Sequence, residues 1–107
     1  MMSSQQAAEP ILSTLADDPD LGSIVELYVA EMPGRIATLV EQFDAGNRVG
    51  LTTTAHQIKG AAGSHGFHQV TPIAARLEAA LHADRPDAEI GDALEALLDI
   101  CRRVRFR

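Results

Sequence analysis

A chain of 107 residues has room for one domain built on one modest hydrophobic core. Its formal net charge of −6 argues against a nucleic-acid partner, which would need a basic face, and its single cysteine excludes an internal disulfide framework. No apolar run approaches the ~18 residues of a membrane span, and the opening MMSSQQAAEP lacks the basic start and apolar stretch of a signal peptide. A soluble cytoplasmic domain, monomeric and spanning 1–107, is the expectation.

Apolar residues make up 46% of the chain but aromatics only 4%, so the core is Ala, Leu, Ile and Val, which suits close helix packing. In chain order, residues 9–16 read as a brief helix with Pro10 in its first turn. Asp17, Asp18, Pro19 and Asp20 follow as a turn and N-terminal cap. From Leu21 to Ala45 the residues Leu21, Ile24, Val25, Tyr28, Met32, Ile36, Leu39, Val40 and Phe43 recur at helical spacing, with Pro33 expected to kink or break the run. Gly46 and Asn47 stop it.

The next helix runs from about Arg48 to His65, with Gly66 placed as a left-handed terminator and Phe67 behind it to pack back. A further helix starts between Val70 and Pro72 and reaches His82, and Asp84 to Asp87 form a loop ending in a capping aspartate. The last helix covers Ala88 to about Val104, with Ile90, Leu94, Leu97, Cys101 and Val104 inward. Short loops between amphipathic helices predict an all-α, antiparallel up-down-up-down four-helix bundle with the short extra helix at its N-terminus. Arg102, Arg103, Arg105 and Arg107 crowd the C-terminus, where they complement the helix dipole. A site for an acidic partner is the alternative reading of that cluster.

The helix LTTTAHQIKGAAGSHGF carries the chemistry. Wound at about 100° per residue, it places Ala55, Ile58 and Ala62 within about 40° of Leu51, on one buried stripe. His56 falls near 140°, Gly63 near 120°, Gly60 near 180° and Lys59 near 80°. The imidazole therefore points outward, above positions without side chains and beside a cation. Each interior glycine costs about 1 kcal/mol relative to alanine, yet Ala is used freely at 61 and 62. Clearance for another body approaching His56 is a reason to keep Gly60 and Gly63. Lys59 is the chain's one lysine, and at three residues from His56 it can reach a group attached to the ring.

The run His56-Gln57-Ile58-Lys59-Gly60-Ala61-Ala62-Gly63-Ser64-His65-Gly66 resembles the phosphorylation motif of histidine phosphotransfer (HPt) domains, H-x-x-K-G with a further glycine closing the helix. The likeness covers roughly residues 20–100 and includes the Pro33-bearing helix before the motif and Ala75-Arg76-Leu77-Glu78 after it. It implies a phosphocarrier rather than an enzyme. His56 would accept a phosphoryl group from an aspartyl phosphate on a response-regulator receiver domain and pass it to another. Lys59 would offset phosphoryl charge, and Gly60, Gly63 and Gln57 would form the docking surface. Glu78 would orient the ring where such domains often carry Gln. The resemblance implies no cofactor of its own: Mg2+ and the aspartate belong to the receiver, and a hybrid histidine kinase is a further partner.

The other class of reading is a scaffold bundle that uses the glycine patch for docking alone. An autonomous kinase fails for want of a nucleotide-binding glycine-rich loop. No HExxH or cysteine pair accompanies His65, His68 and His82, so no metal site is expected.

Overall fold

The computed structural model describes residues 9–106. Four helices form the body: α1 (Gly22–Asp44), α2 (Arg48–Ser64), α3 (Val70–His82) and α4 (Asp87–Arg103). Tyr28 stacks on His65 while Gln42 reaches Gly50 between α1 and α2, and Thr71 meets Gly63 while Glu78 meets His56 between α2 and α3. The all-α four-helix bundle is the architecture read from the sequence.

The core is the periodic set. Val25, Tyr28, Met32 and Leu39 of α1 meet Leu51, Ala55, Ile58 and Ala62 of α2, with Ala74 and Leu77 of α3 and Ile90, Leu94, Leu97 and Cys101 of α4. Burial pushes the Cys101 thiol and the Tyr28 phenol each up to about 12, so both stay neutral packing groups. Leu21 and Ile24, expected on this buried stripe, are instead 39% and 49% exposed, and Leu27 is 59% exposed. In the same turns Gly22, Val25 and Tyr28 are buried, so the covered face of α1 is narrower there than the apolar row suggests.

Local chemistry sets the helix ends. Gly46 and Gly66 adopt φ of +68° and +81°. Beyond α2, Gly66 N–H donates to the Gly63 carbonyl (3.2 Å) and Phe67 N–H to the Ala62 carbonyl (2.8 Å), the paired bonds of a Schellman terminator. Asp84 ends α3 in the same way at φ +54°, a role that no glycine marks in the sequence.

Three local expectations are corrected. Residues 9–16 do not form a helix. Ile11–Leu12 is a short strand, β1, paired in parallel with Val104–Arg105, β2. The chain then crosses the end of α2, where Thr14 N–H bonds the Gly66 carbonyl (3.0 Å) and Ser13 Oγ the His65 carbonyl. These long-range bonds outweigh a weak local helical preference. Pro33 does not break α1, which runs continuously from Gly22 to Asp44. Pro33 lies on the exposed side of the helix. Asp87 is not the cap of α4. Pro86 holds that position, and the Asp87 carboxylate pairs with Arg48 at 2.6 Å.

Gly66 is where backbone and packing coincide, since a Cβ there would meet Ser13 Oγ and lie 3.0 Å from the Leu15 nitrogen. Gly66→Ala should therefore lower unfolding free energy by about 1–3 kcal/mol, read as a reduced urea midpoint. An unchanged midpoint would show that the N-terminal crossing contributes nothing.

Candidate functional site

The helix that carries His56 is tied down from both ends. Asn47 caps it by accepting the Gly50 N–H at 2.9 Å. Thr52, Thr53 and Thr54 donate their hydroxyls back to the carbonyls of Arg48, Val49 and Gly50 at 2.8–3.1 Å, which satisfies these polar side chains without outside partners. Leu51, Ala55, Ile58 and Ala62 are all 1% exposed or less, so the rotation of the helix about its axis is fixed. The opposite face then lies toward solvent.

His56 stands on that face with its side chain 66% exposed. Its Nδ1 lies 2.7 Å from Glu78 Oε2. An ionised carboxylate can only accept, so Nδ1 carries the proton and donates it, leaving the lone pair on Nε2. The second carboxylate oxygen, Oε1, accepts from Lys59 Nζ at 2.6 Å. His82, one turn along α3, brings Nε2 to 3.7 Å from Glu78 Oε2. One carboxylate, itself only 12% exposed, thus holds the imidazole and the ammonium together.

The electrostatics follow. The Lys59 hydrogen bond, supported by that of His56, holds the Glu78 carboxyl below its usual value near 4.5 despite the opposing cost of desolvation. The sequence-predicted residues His56, Lys59 and Glu78 therefore converge on one point. Gly60 is open, with nothing within 4 Å of where a Cβ would sit. Gly63 faces α3 instead, where an added Cβ would lie 3.6 Å from Thr71 Oγ1. Gln57 lies exposed beside His56 and lines a shallow groove with Arg35, Glu31 and Thr54 between α1 and α2.

The other histidines are apart from this point. His65 stacks on Tyr28 at 4.4 Å and its Nδ1 bonds the Ala61 carbonyl, while His68 sits near Thr14 at the bundle's end. No group of three or more potential metal ligands occurs among the described residues, and no helix is long and apolar enough to cross a membrane. Two features escaped the sequence reading. The contact of His82 with Glu78 was visible as a four-residue spacing on one helix, whereas Arg35 had no signal, because its place beside Gln57 depends on how α1 packs on α2.

The Hpt domain family model matches residues 23–105, and the chain belongs to that family. Hpt domains carry phosphoryl groups on a histidine within two-component phosphorelays and exchange them with receiver domains and kinases. No curated protein and no solved structure matches the chain at a significant level.

Because the folded Glu78 carboxyl titrates below its ordinary value, its contribution to stability is complete above about pH 4.5 and is lost as pH falls through the lowered value. Glu78→Gln has no such dependence. The stability difference between wild type and Glu78→Gln, from urea midpoints, should shrink as pH falls below about 4.5. A difference that persists undiminished below about pH 4.5 would contradict the bridge.

Proposed function

We propose that this chain is a phosphocarrier that accepts a phosphoryl group on Nε2 of His56 from the aspartyl phosphate of a receiver domain and passes it to a second receiver. The observation that carries this reading is the exposed imidazole whose Nδ1 proton is held by Glu78, so that Nε2 alone presents a lone pair to an incoming group.

Transfer then follows from positioning and charge. The Nε2 lone pair attacks phosphorus, the Nε2–P bond forms, and the bond from phosphorus to the aspartyl oxygen breaks with its electrons leaving on that carboxylate. The Nδ1 proton stays in place, so the phosphorylated ring bears a positive charge that faces the Glu78 carboxylate. Lys59 can serve both groups. An ammonium has three donors, so one can remain on Glu78 Oε1 while another reaches a phosphoryl oxygen. The step needs no metal or cofactor residue from this chain, and Mg2+ is assigned to the receiver.

Gly60 provides clearance for the receiver, and Gln57 lies on the same face, with Gly63 at its edge toward α3. The exposed Ile24 and Leu27 widen the docking surface onto α1, whose Tyr28 stacks against the far end of α2. Exposed apolar side chains in a row are a feature of interaction sites. The cytoplasm, where receivers reside, is the proposed location.

His56→Gln should abolish acid-labile, base-stable phosphate on the chain after mixing with a phosphorylated receiver, while helicity and melting temperature stay close to wild type. Wild-type labelling of this variant would refute the site.

At Gly60 stability and function should separate. Gly60→Ala relieves an interior helix glycine worth about 1 kcal/mol and meets no neighbour, so it should melt higher yet accept phosphate more slowly. Gly60→Leu should nearly eliminate transfer. Variants that transfer at the wild-type rate would show that no partner approaches over Gly60.

A further inference from the structure

Arg102, Arg103 and Arg105 take no part in the His56 site, Arg107 lies outside the described residues, and Arg102 and Arg105 border a feature of their own. Along the seam of α1 and α4 lie two shallow grooves placed end to end. One is lined by Val29 and Ile36 with Arg102 and Arg105 at its rim. The other is lined by Val40 and Leu98 with Asp92, Glu95 and Asp44, and Arg102 borders both. The seam therefore has an apolar floor, a basic end and an acidic end. Among the described residues none of these five charged side chains forms an ion pair, and Arg105 bonds only the carbonyls of Arg102 and Val104.

We propose that this seam is an interface between two copies of this chain related by a two-fold axis. In such an isologous contact a residue that meets a second residue of the partner is met by its own counterpart in return, so a surface with opposite charges at its two ends is self-complementary. The register supports it. An axis crossing α4 between Leu98 and Asp99 sets Glu95 opposite Arg102 of the second copy, while Arg105, in β2 just past the end of α4, extends the basic end. Glu95 and Arg102, both exposed, lie seven residues apart on one stripe of α4, with the buried Leu98 beneath it. The contact also leaves the other face free. His56 stands on α2 beside Glu78 of α3, whereas the seam is lined by residues of α1 and α4, so a paired molecule keeps His56 accessible. The proposal stands independently of what His56 does.

The test is sedimentation velocity on the full chain across a concentration series at low salt. The wild type should show reversible, concentration-dependent dimerisation that weakens as salt is added. Glu95→Arg and Arg102→Glu, each placing like charges face to face twice in the dimer, should each weaken association by about tenfold or more. The double variant with both changes restores opposite charges and should recover the dimer, with circular dichroism confirming unchanged helicity throughout. A wild-type chain that stays monomeric up to about millimolar concentration overturns the proposal. So do single variants that dimerise as the wild type does, or a double variant that fails to recover.

Discussion

Glu78 extends its carboxylate from α3 to α2, and each oxygen there meets a different partner, His56 through Oε2 and Lys59 through Oε1. With the Glu78 side chain only 12% exposed, its charge needs partners close by. The lysine and the imidazole proton are those partners. In doing so they acquire fixed places, and the ring of His56 acquires a fixed tautomer. The site's chemistry is thus a consequence of where one acid is partly buried.

That burial in turn requires α2 and α3 to lie close. Small residues line the approach: Ala55, Ala62 and Ala74 are fully buried, and Gly63 leaves room beside Thr71. The two glycines of the motif therefore do different work. Gly63 lies against α3, where an added Cβ would make ordinary contact with Thr71 Oγ1 at 3.6 Å, whereas Gly60 faces open space. Beyond the helix end, Gly66 turns the chain, Phe67 fills the core, and the N-terminal strand binds over the turn. Rotation of α2 about its axis is over-determined by this packing, which is what a side chain used for chemistry at the surface needs.

Much of this was legible before any coordinates. The 3.6-residue period gave the four helices and the inward rows of α2 and α4, because side-chain direction along a helix follows from spacing alone. The same geometry placed His56 outward and Lys59 beside it. Glu78 was legible only through likeness to the Hpt pattern, since spacing within one helix cannot say which neighbour it meets. The N-terminal strand was hidden for a related reason: Ile11–Leu12 pairs with Val104–Arg105, and a partner so distant in sequence leaves no local signature. Leu21 and Ile24 were misread because periodicity reports a face but not how much of it the neighbouring elements cover.

The central claim is that Glu78 holds the Nδ1 proton and so commits His56 to reaction through Nε2. Mass-spectrometric mapping of the phosphorylated chain, combined with nitrogen-15 and phosphorus-31 NMR of the modified ring, reads this directly. The account predicts a single phosphohistidine at position 56 with phosphorus bonded to Nε2 and the proton retained toward Glu78. Phosphorus bonded to Nδ1, or carried on His65, His68 or His82 instead, would contradict it.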